Sequence, residues 1–223
     1  MQRNEVVDLP VAPTYVRDLW ALLTPLAEGK VVLNVGAAGN VEYYLDGRNE
    51  LWMHERLKAL AGDLVGLDID AESVAYANAR GESLVLGNCE TIDLNQRFDL
   101  IVFSEVIEHV NAPMLAIANL VRHLKPNGKL FLTTPNPTYY GTVLRALLNR
   151  SLHIYYDHVT AYFPENLVVM CQRLGLRVGG IHFYNVNDVR SPNLKLRSWV
   201  ARCVGRVLHR YGSNFVFIIE GQD

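Results

Sequence analysis

Short apolar runs rich in β-branched residues recur along the chain and alternate with stretches whose apolar positions have a helical spacing. Such runs predict buried strands, and the intervening stretches predict helices. The segment Asp99–Phe103 is apolar at every position after its aspartate. A continuous run of this kind is typical of a strand buried on both faces, as in a parallel sheet. Seven strands are predicted: Lys30–Val35, Leu64–Asp68, Ser83–Leu86, Phe98–Phe103, Lys129–Thr134, Arg177–Tyr184 and Phe215–Glu220.

The helical pattern predicts helices at Asn49–Ala61, Ala71–Arg80, Ala112–Leu124 and Pro164–Leu174. Asp70 is placed to cap the second helix, and the last begins with proline and stops before Gly175. The alternation of strands and helices predicts an α/β fold with a doubly wound sheet, and we expect residues 1–223 to form one domain. Because such sheets bind ligands beyond the carboxyl ends of their strands, the residues after each strand are the first candidates for a site.

Three strand ends carry residues suited to a nucleotide-like ligand. The small residues from Gly36 to Gly39 let backbone N–H groups approach a ligand, although a tight turn alone would explain them equally well. Asp68 can accept hydrogen bonds from both hydroxyls of a ribose, the alternative being a helix cap. Asn88 can bond the edge of a base while Cys89 packs on its ring, the alternative being a polar turn.

Length and composition narrow the class of protein. The 223 residues, 50% hydrophobic and 20% charged, suit one globular α/β domain. No apolar run approaches the roughly 18 residues that a membrane-spanning helix needs. The polar N-terminal residues lack the hydrophobic region typical of a signal peptide. The cysteines, Cys89, Cys171 and Cys203, have no paired spacing. These features predict a cytoplasmic protein without a zinc site.

Two central segments carry a resemblance to a known family. Residues 104–110 read Ser-Glu-Val-Ile-Glu-His-Val, and residues 124–136 read Leu-Lys-Pro-Asn-Gly-Lys-Leu-Phe-Leu-Thr-Thr-Pro-Asn. Together with the glycine turn and the acidic strand end, they resemble the class I S-adenosylmethionine-dependent methyltransferases. The branch in question contains ubiquinone-biosynthesis O-methyltransferases and methyltransferases of glycan pathways. The resemblance implies a Rossmann-like, doubly wound, seven-stranded, mostly parallel sheet with an antiparallel last strand.

The resemblance also implies S-adenosylmethionine as the cofactor. It places a cofactor-binding core at residues 30–135 and acceptor-side segments at 136–163 and 185–212. The residues at the cofactor-contacting positions of the family are Asn34, Gly36, Ala37, Ala38, Gly39, Asp68, Ile69, Asn88, Cys89, Ser104 and Glu105.

The glycine loop departs from the family pattern Asp-x-Gly-x-Gly-x-Gly. Asn34 replaces a carboxylate that helps to hold the amino group of the cofactor, and Ala38 replaces the second glycine, with Gly39 displaced by one position. We expect the Ala38 methyl to lie in the path of the cofactor, and Asn40 to keep the left-handed turn because asparagine tolerates positive φ. A non-catalytic module that binds S-adenosylmethionine or a nucleotide is therefore the second hypothesis. A nucleotide-binding oxidoreductase is disfavoured because the Gly-x-Gly-x-x-Gly register is missing.

Methyl transfer needs alignment of the acceptor with the methyl group and, for a hydroxyl acceptor, a general base. The candidates are His109 after the fourth strand and His158 before the last predicted helix, the alternative for each being a packed structural histidine. Glu105, Glu108, His109 and His158 also resemble the metal site of small-RNA 2′-O-methyltransferases. That alternative predicts a divalent ion that these residues hold and that polarises a pair of hydroxyl groups on the acceptor. The competing hypothesis has no metal.

Charge is distributed unevenly along the chain. Residues 1–188 hold 15 Lys or Arg and 21 Asp or Glu, whereas residues 189–223 hold six and two. Within residues 194–211 the pattern predicts an apolar stripe packed on the protein and an outward basic face. The predicted stripe is Leu196, Trp199, Val200, Cys203, Val204, Val207 and Leu208, and the basic residues are Lys195, Arg202, Arg206 and Arg210.

The basic face predicts weak contact with an anionic membrane or a phosphate-bearing acceptor. The alternative is that this basic face is only solvated and binds no partner. We expect the methyl acceptor to be an oxygen of a small molecule, a glycan or a lipid-linked intermediate. Nucleic acid is not expected as a partner, because the rest of the chain is acidic and aromatic residues are not interleaved with the cations.

Overall fold

The structure is a computed structural model that describes residues 6–152, 154–186, 199 and 203–221. These residues form one eight-stranded sheet in the order β1-β7-β8-β6-β5-β2-β3-β4. Every neighbouring pair is parallel except those of β8, which runs antiparallel to both β6 and β7. The strands are β1 (Thr14–Tyr15), β2 (Val31–Val35), β3 (Asp63–Asp68), β4 (Leu84–Leu86), β5 (Phe98–Ser104), β6 (Leu124–Pro135), β7 (Arg177–Tyr184) and β8 (Asn214–Glu220).

The doubly wound sheet and its antiparallel last strand are confirmed, but the predicted number of seven strands is wrong. The additional strand, β1, has only two residues and pairs with the edge of β7, where Thr14 Oγ1 lies 2.7 Å from His182 Nδ1. A two-residue strand is too short to produce an alternating pattern, which explains why the sequence does not indicate it.

The helices are α1 (Trp20–Ala27), α2 (Val41–Leu45), α3 (Met53–Lys58), α4 (Ala71–Asn78), α5 (Pro113–Arg122), α6 (Tyr140–Leu147) and α7 (Pro164–Leu174). Helix α7 has its predicted bounds and is capped by Gly175, whose φ of 68° lies in the left-handed region that glycine adopts most easily. Short 3-10 turns occur at Asn49–Leu51 and His209–Tyr211, and residues 203–207 are helical. No helix in these described ranges combines the length and apolar character needed to cross a bilayer.

The single helix predicted at Asn49–Ala61 is wrong. Trp52 has extended backbone angles, φ −77° and ψ 123°, and divides the segment into a 3-10 turn and α3. Its indole is 2% exposed, and Nε1 donates a hydrogen bond of 2.9 Å to the carbonyl oxygen of Ala37. The break therefore places a buried aromatic ring beneath the loop that follows β2.

The sheet is covered on both faces, as the continuous apolar strands predict. One face packs Leu33, Phe103 and Phe217 against helices α5 and α7, and the other packs Val32 and Phe131 against α1 and α3. Adjacent residues of one strand thus enter opposite cores. A smaller core lies beneath the loop after β2 and contains Ala37, Ala38, Val41, Trp52, Val74, Ala77 and Leu84.

Candidate active site

The loop after β2 is shaped by Gly36 and Asn40. Gly36 has φ 76°, and a Cβ on it would lie 2.5 Å from Val106 Cγ2, so both the conformation and the space require glycine. Asn40 has φ 55° and precedes α2, which confirms the predicted left-handed turn. At Gly39 a Cβ would meet only an oxygen at 3.7 Å, so the displaced glycine is not required sterically.

Ala38 does not project into the ligand path, and that expectation is wrong. Its side chain is fully buried in the small core with Trp52 and Val74. Its backbone N–H donates a 2.8 Å hydrogen bond to Asp68 Oδ2. Ala37 is likewise buried, so both alanines present backbone rather than methyl groups at this edge of the sheet.

Asn34 lies on the face of β2 opposite that of Leu33 and Val35. It is 3% exposed, and its Nδ2 lies 3.3 Å from His54 Nδ1. Burial lowers the pKa of His54 to about 4, so this imidazole is neutral at pH 7. Asn34 therefore braces the loop from below and is not among the residues that line the cavity described next.

A cavity lies between the carboxyl ends of β2, β3 and β5. It is lined by Gly36, Leu67, Asp68, Ile69, Asn88, Cys89, Glu90, Val106 and His109, among others. Asp68 accepts from the backbone N–H of Ala38 and, through Oδ1, from that of Asp70 at 3.0 Å, which fixes its carboxylate at the strand tip. Asp70 caps α4 by accepting from Ser73 N–H at 2.8 Å, as predicted.

The loop after β4 supplies the opposite wall of this cavity. Asn88 Oδ1 accepts from the Glu90 N–H at 2.8 Å, so the side chain is ordered by a local turn. Burial raises the pKa of the Cys89 thiol to about 11, and the thiol is a neutral packing group. Glu90 accepts from the N–H groups of Asn111 and Ala112 at the start of α5. No local sequence pattern indicates this role of Glu90, because its partners lie more than 20 residues away.

Ser104 and Glu105 are not among the residues that line the cavity. Ser104 Oγ lies 2.8 Å from Thr133 Oγ1, which donates to Glu105 Oε1 at 2.7 Å. Asn214 Nδ2 and, at 3.5 Å, the Tyr184 hydroxyl also donate to Glu105. Burial and then Glu108 raise the pKa of Glu105 to about 7. The carboxylate ties β5 to β6 and β8 beneath the site.

The φ of 53° at Glu105 turns the chain sharply after β5. This turn delivers Val106 over Gly36 and places Glu108 at a second cavity. Glu108 is 1% exposed, and Oε2 accepts from Thr134 Oγ1 at 3.0 Å. Oε1 has no hydrogen-bond partner among the described residues, and burial raises the pKa of this carboxyl to about 7.

The predicted catalytic histidines lie side by side. The rings of His109 and His158 meet edge to face, 4.8 Å apart, and His109 Nδ1 lies 3.0 Å from the Asp157 carbonyl oxygen. Burial, and then His109, lower the pKa of His158. Metal-ligating atoms of Glu108, His109 and His158 lie within 4.8 Å of one another. The fourth residue of the predicted metal set, Glu105, is not in this group, because its oxygens face Thr133 and Asn214.

The second cavity has a volume of about 250 Å³ and a mostly apolar lining. Its walls include Pro135, Leu152, Ile154 and Val159, with Glu108 and His158 as polar groups. The neighbour of Glu108, His109, lines the first cavity. Two consecutive residues, Glu108 and His109, thus line one cavity each.

The lining of the first cavity has groups of the kind that bind the nucleoside part of S-adenosylmethionine. It offers a carboxylate at a strand tip for ribose hydroxyls, the backbone of Gly36, and the apolar Ile69 and Cys89 for a flat base. Fold and site together define a Rossmann-like methyltransferase.

Comparison with known proteins gives the same class. The model of the Methyltransferase domain family matches residues 12–179, and the chain belongs to this family. Ubiquinone biosynthesis O-methyltransferase of Coxiella burnetii is 29% identical over 179 residues, covering 72% of this chain and 70% of the relative.

Solved structures have the same fold at low identity. A S-adenosylmethionine-dependent methyltransferase from Archaeoglobus fulgidus superposes with a TM-score of 0.58, 16% identity and 90% coverage of both chains. Magnesium protoporphyrin IX methyltransferase from Synechocystis, with bound S-adenosylhomocysteine, superposes with a TM-score of 0.57 at 12% identity, covering 91% of this chain and 79% of that one. The protein is a S-adenosylmethionine-dependent methyltransferase, and the non-catalytic and oxidoreductase hypotheses are not favoured.

Proposed function

We propose that this enzyme methylates a hydroxyl oxygen of an acceptor bound in the 250 Å³ cavity. The observation that carries the proposal is the buried atom Glu108 Oε1 at the wall of this cavity, which has no hydrogen-bond partner within the part of the chain that the structure describes. A buried polar atom left unpaired is costly, so it favours a ligand that donates a hydrogen bond. The similarity to a relative named ubiquinone biosynthesis O-methyltransferase supports an oxygen acceptor.

When bound, S-adenosylmethionine supplies an electrophilic methyl group on a sulfonium. The residues of this chain orient the acceptor and remove its proton. The acceptor hydroxyl donates to Glu108 Oε1, and Thr134 holds the other carboxylate oxygen in place. His158 accepts the proton directly or through Glu108, since its lowered pKa keeps the imidazole neutral at pH 7. His109, which lines the first cavity and packs against His158 of the second, aligns the acceptor with the methyl group.

Among the predicted cofactor contacts, we assign the ribose hydroxyls to Asp68 and the base to Ile69, Asn88 and Cys89, which line the first cavity. Backbone groups of Gly36, Ala37, Ala38 and Gly39 border the methionine side. We assign a supporting role to Asn34, Ser104 and Glu105, because their side chains form hydrogen bonds with other protein groups.

The proposal is tested by transfer of labelled methyl from S-adenosylmethionine into the small molecules and lipids of a bacterial extract. Glu108→Gln should lower the transfer rate about 10²–10⁴-fold, the usual contribution of a general base, while cofactor affinity stays unchanged. Glu82→Gln is the matched control, because Glu82 pairs with Lys58 far from the cavity. The label should sit in an alkali-stable ether. Methanol released by alkali would indicate an ester and contradict the proposal.

A metal-assisted version uses the same three donors. Glu108, His109 and His158 would hold a divalent cation through one carboxylate oxygen and two imidazoles, which suits several first-row metals. The unpaired Oε1 fits a cation as well as a hydroxyl proton.

Chelation decides between the two versions. If a cation is required, methyl transfer should vanish after EDTA treatment and return with added Mg²⁺, Mn²⁺ or Zn²⁺. His158→Ala should then bind the metal more weakly than wild type, as measured by calorimetry. Undiminished transfer in excess EDTA would leave Glu108 and His158 as a metal-free proton acceptor pair.

A further inference from the structure

Helix α6 and the loop after it present apolar side chains to solvent. Leu144, Leu147 and Leu148 have the i, i+3, i+4 spacing of one helix face, and no residue of α6 is buried. Leu147 is 75% exposed, and Tyr155 in the following loop is also 75% exposed. We define the apolar rim as Leu144, Leu147, Leu148, Leu152, Ile154 and Tyr155. The concentration of exposed apolar side chains in one short segment favours an interaction surface.

The apolar rim is continuous with the acceptor cavity. Leu152 and Ile154 are 44% and 67% exposed and also line the 250 Å³ cavity, so they form its mouth. Whatever covers the rim therefore controls entry to Glu108. A second copy of the chain seated here would close that mouth, whereas a lipid surface would open it to molecules dissolved in the lipid.

The charges around the rim favour an anionic surface. The sequence contains no Asp or Glu between Glu108 and Asp157, and Arg145 and Arg150 flank the leucines of α6. Arg145 Nε also bonds to the Ser151 carbonyl oxygen, which holds the turn after α6. Leucines with arginines and interfacial tyrosines are the composition of helices that lie in the headgroup region of a bilayer.

The described residues of the C-terminal segment bear on the predicted apolar stripe. Of the predicted packed stripe, Trp199, Val207 and Leu208 are more than half exposed, so the stripe is not buried in its described part. Arg210, predicted to face an anionic partner, pairs with Glu165. Leu196 and Val200, with Lys195 and Arg202, lie outside the described residues. The described part of this segment therefore exposes apolar side chains, and the predicted basic face stays a prediction.

We propose that the apolar rim docks into the headgroup and upper acyl region of an anionic phospholipid bilayer and receives a lipid-linked acceptor from it. The inference rests on the proposed function for the identity of the cavity as the acceptor site. Arg145 and Arg150 contact lipid phosphates, and the mouth at Leu152 and Ile154 opens toward the acyl chains.

Sedimentation with vesicles tests the proposal without acceptor or cofactor. Wild-type protein should bind vesicles of phosphatidylglycerol and phosphatidylcholine at low salt, and binding should fall as salt rises. The double variant Leu144→Glu, Leu147→Glu should reduce the partition coefficient at least about tenfold, since it removes two inserting side chains. Arg145→Gln and Arg150→Gln should each reduce it about fivefold. Leu115→Glu, an equally exposed leucine on α5, should bind like wild type.

Thermal melts of each variant show whether it is folded. If the leucine double variant does not fold, the arginine variants still test the proposal. Equal binding of wild type and both variant classes, or no binding of wild type, would overturn the proposal. So would a wild-type dimer that Leu147→Glu converts to a monomer without any vesicle binding. Glu108→Gln should bind vesicles like wild type. If the proposed hydroxyl acceptor is wrong, that result would therefore appear only in the methyl-transfer experiment and not in vesicle binding.

Discussion

At the scale of single residues, the site divides two neighbouring carboxylates between two tasks. Asp68 stands at the tip of β3 and is oriented by two backbone N–H groups, while Asp70 is committed to the N-cap of α4. Both are acidic and two positions apart, so the sequence distinguishes them only by their relation to the strand end and the helix start. That relation was sufficient to predict the cap at Asp70.

The division of tasks predicts different effects of the two alanine variants. Asp68→Ala should weaken S-adenosylmethionine binding by roughly 1.5–3 kcal/mol, because ribose hydroxyls lose a charged partner. Asp70→Ala should lower the free energy of unfolding by about 1 kcal/mol through the lost cap, with cofactor affinity near that of wild type. Calorimetry and thermal melts measure both. The reverse pattern would mean that Asp70 is the ribose ligand.

Glu105 and Glu108 show where prediction from sequence stops. The two carboxylates are three residues apart in one motif, and the resemblance placed Glu105 on the cofactor. In the structure Glu105 accepts hydrogen bonds from three other strands, whereas one oxygen of Glu108, at the wall of the second cavity, has no hydrogen-bond partner among the described residues. Their roles depend on the φ of 53° at Glu105 and on partners up to 109 residues distant, neither of which a local pattern contains.

At the scale of elements, periodicity predicted the long buried strands and the helices with strong end signals. Helix α7 has its predicted bounds because proline and glycine mark both ends. Helical spacing failed at Trp52, where the need to place an indole N–H on the Ala37 carbonyl outweighs local propensity. It also failed at the C-terminal end of the helix predicted to Leu124, where β6 already begins.

The altered glycine loop is explained by the same elements. Ala38 faces a small core built by the loop, α2 and α4, so its methyl fills protein volume in place of the cofactor path. Trp52 from the segment before α3 supports the loop from below, and Asn40 supplies the positive φ. The departures at Ala38 and Asn40 are therefore accommodated by neighbouring elements without blocking the first cavity.

At the scale of the whole molecule, stability couples to pH through buried groups with opposite shifts. His54 has its pKa lowered from 6.5 to about 4, chiefly by burial, against an opposing contribution from Glu82. Glu105 and Glu108 have pKa values raised from 4.5 to about 7, also chiefly by burial. As the pH falls from 7 toward 4.5, the carboxyls take up protons more readily in the folded state, which favours folding. Over nearly the same range His54 takes up a proton more readily in the unfolded state, which opposes folding.

The His54 contribution can be isolated by comparison with His54→Gln, which keeps a hydrogen-bond partner for Asn34 and cannot be charged. Above pH 6.5 the imidazole is neutral in both states, so the difference in unfolding free energy between wild type and variant should be constant. Between pH 6.5 and 4 the wild type should lose about 3 kcal/mol relative to the variant, since one pKa unit corresponds to roughly 1.4 kcal/mol. Urea unfolding at pH 7, 6, 5 and 4 measures this difference. Parallel pH profiles for the two proteins would show that His54 titrates normally and that the pocket beneath the glycine loop admits water.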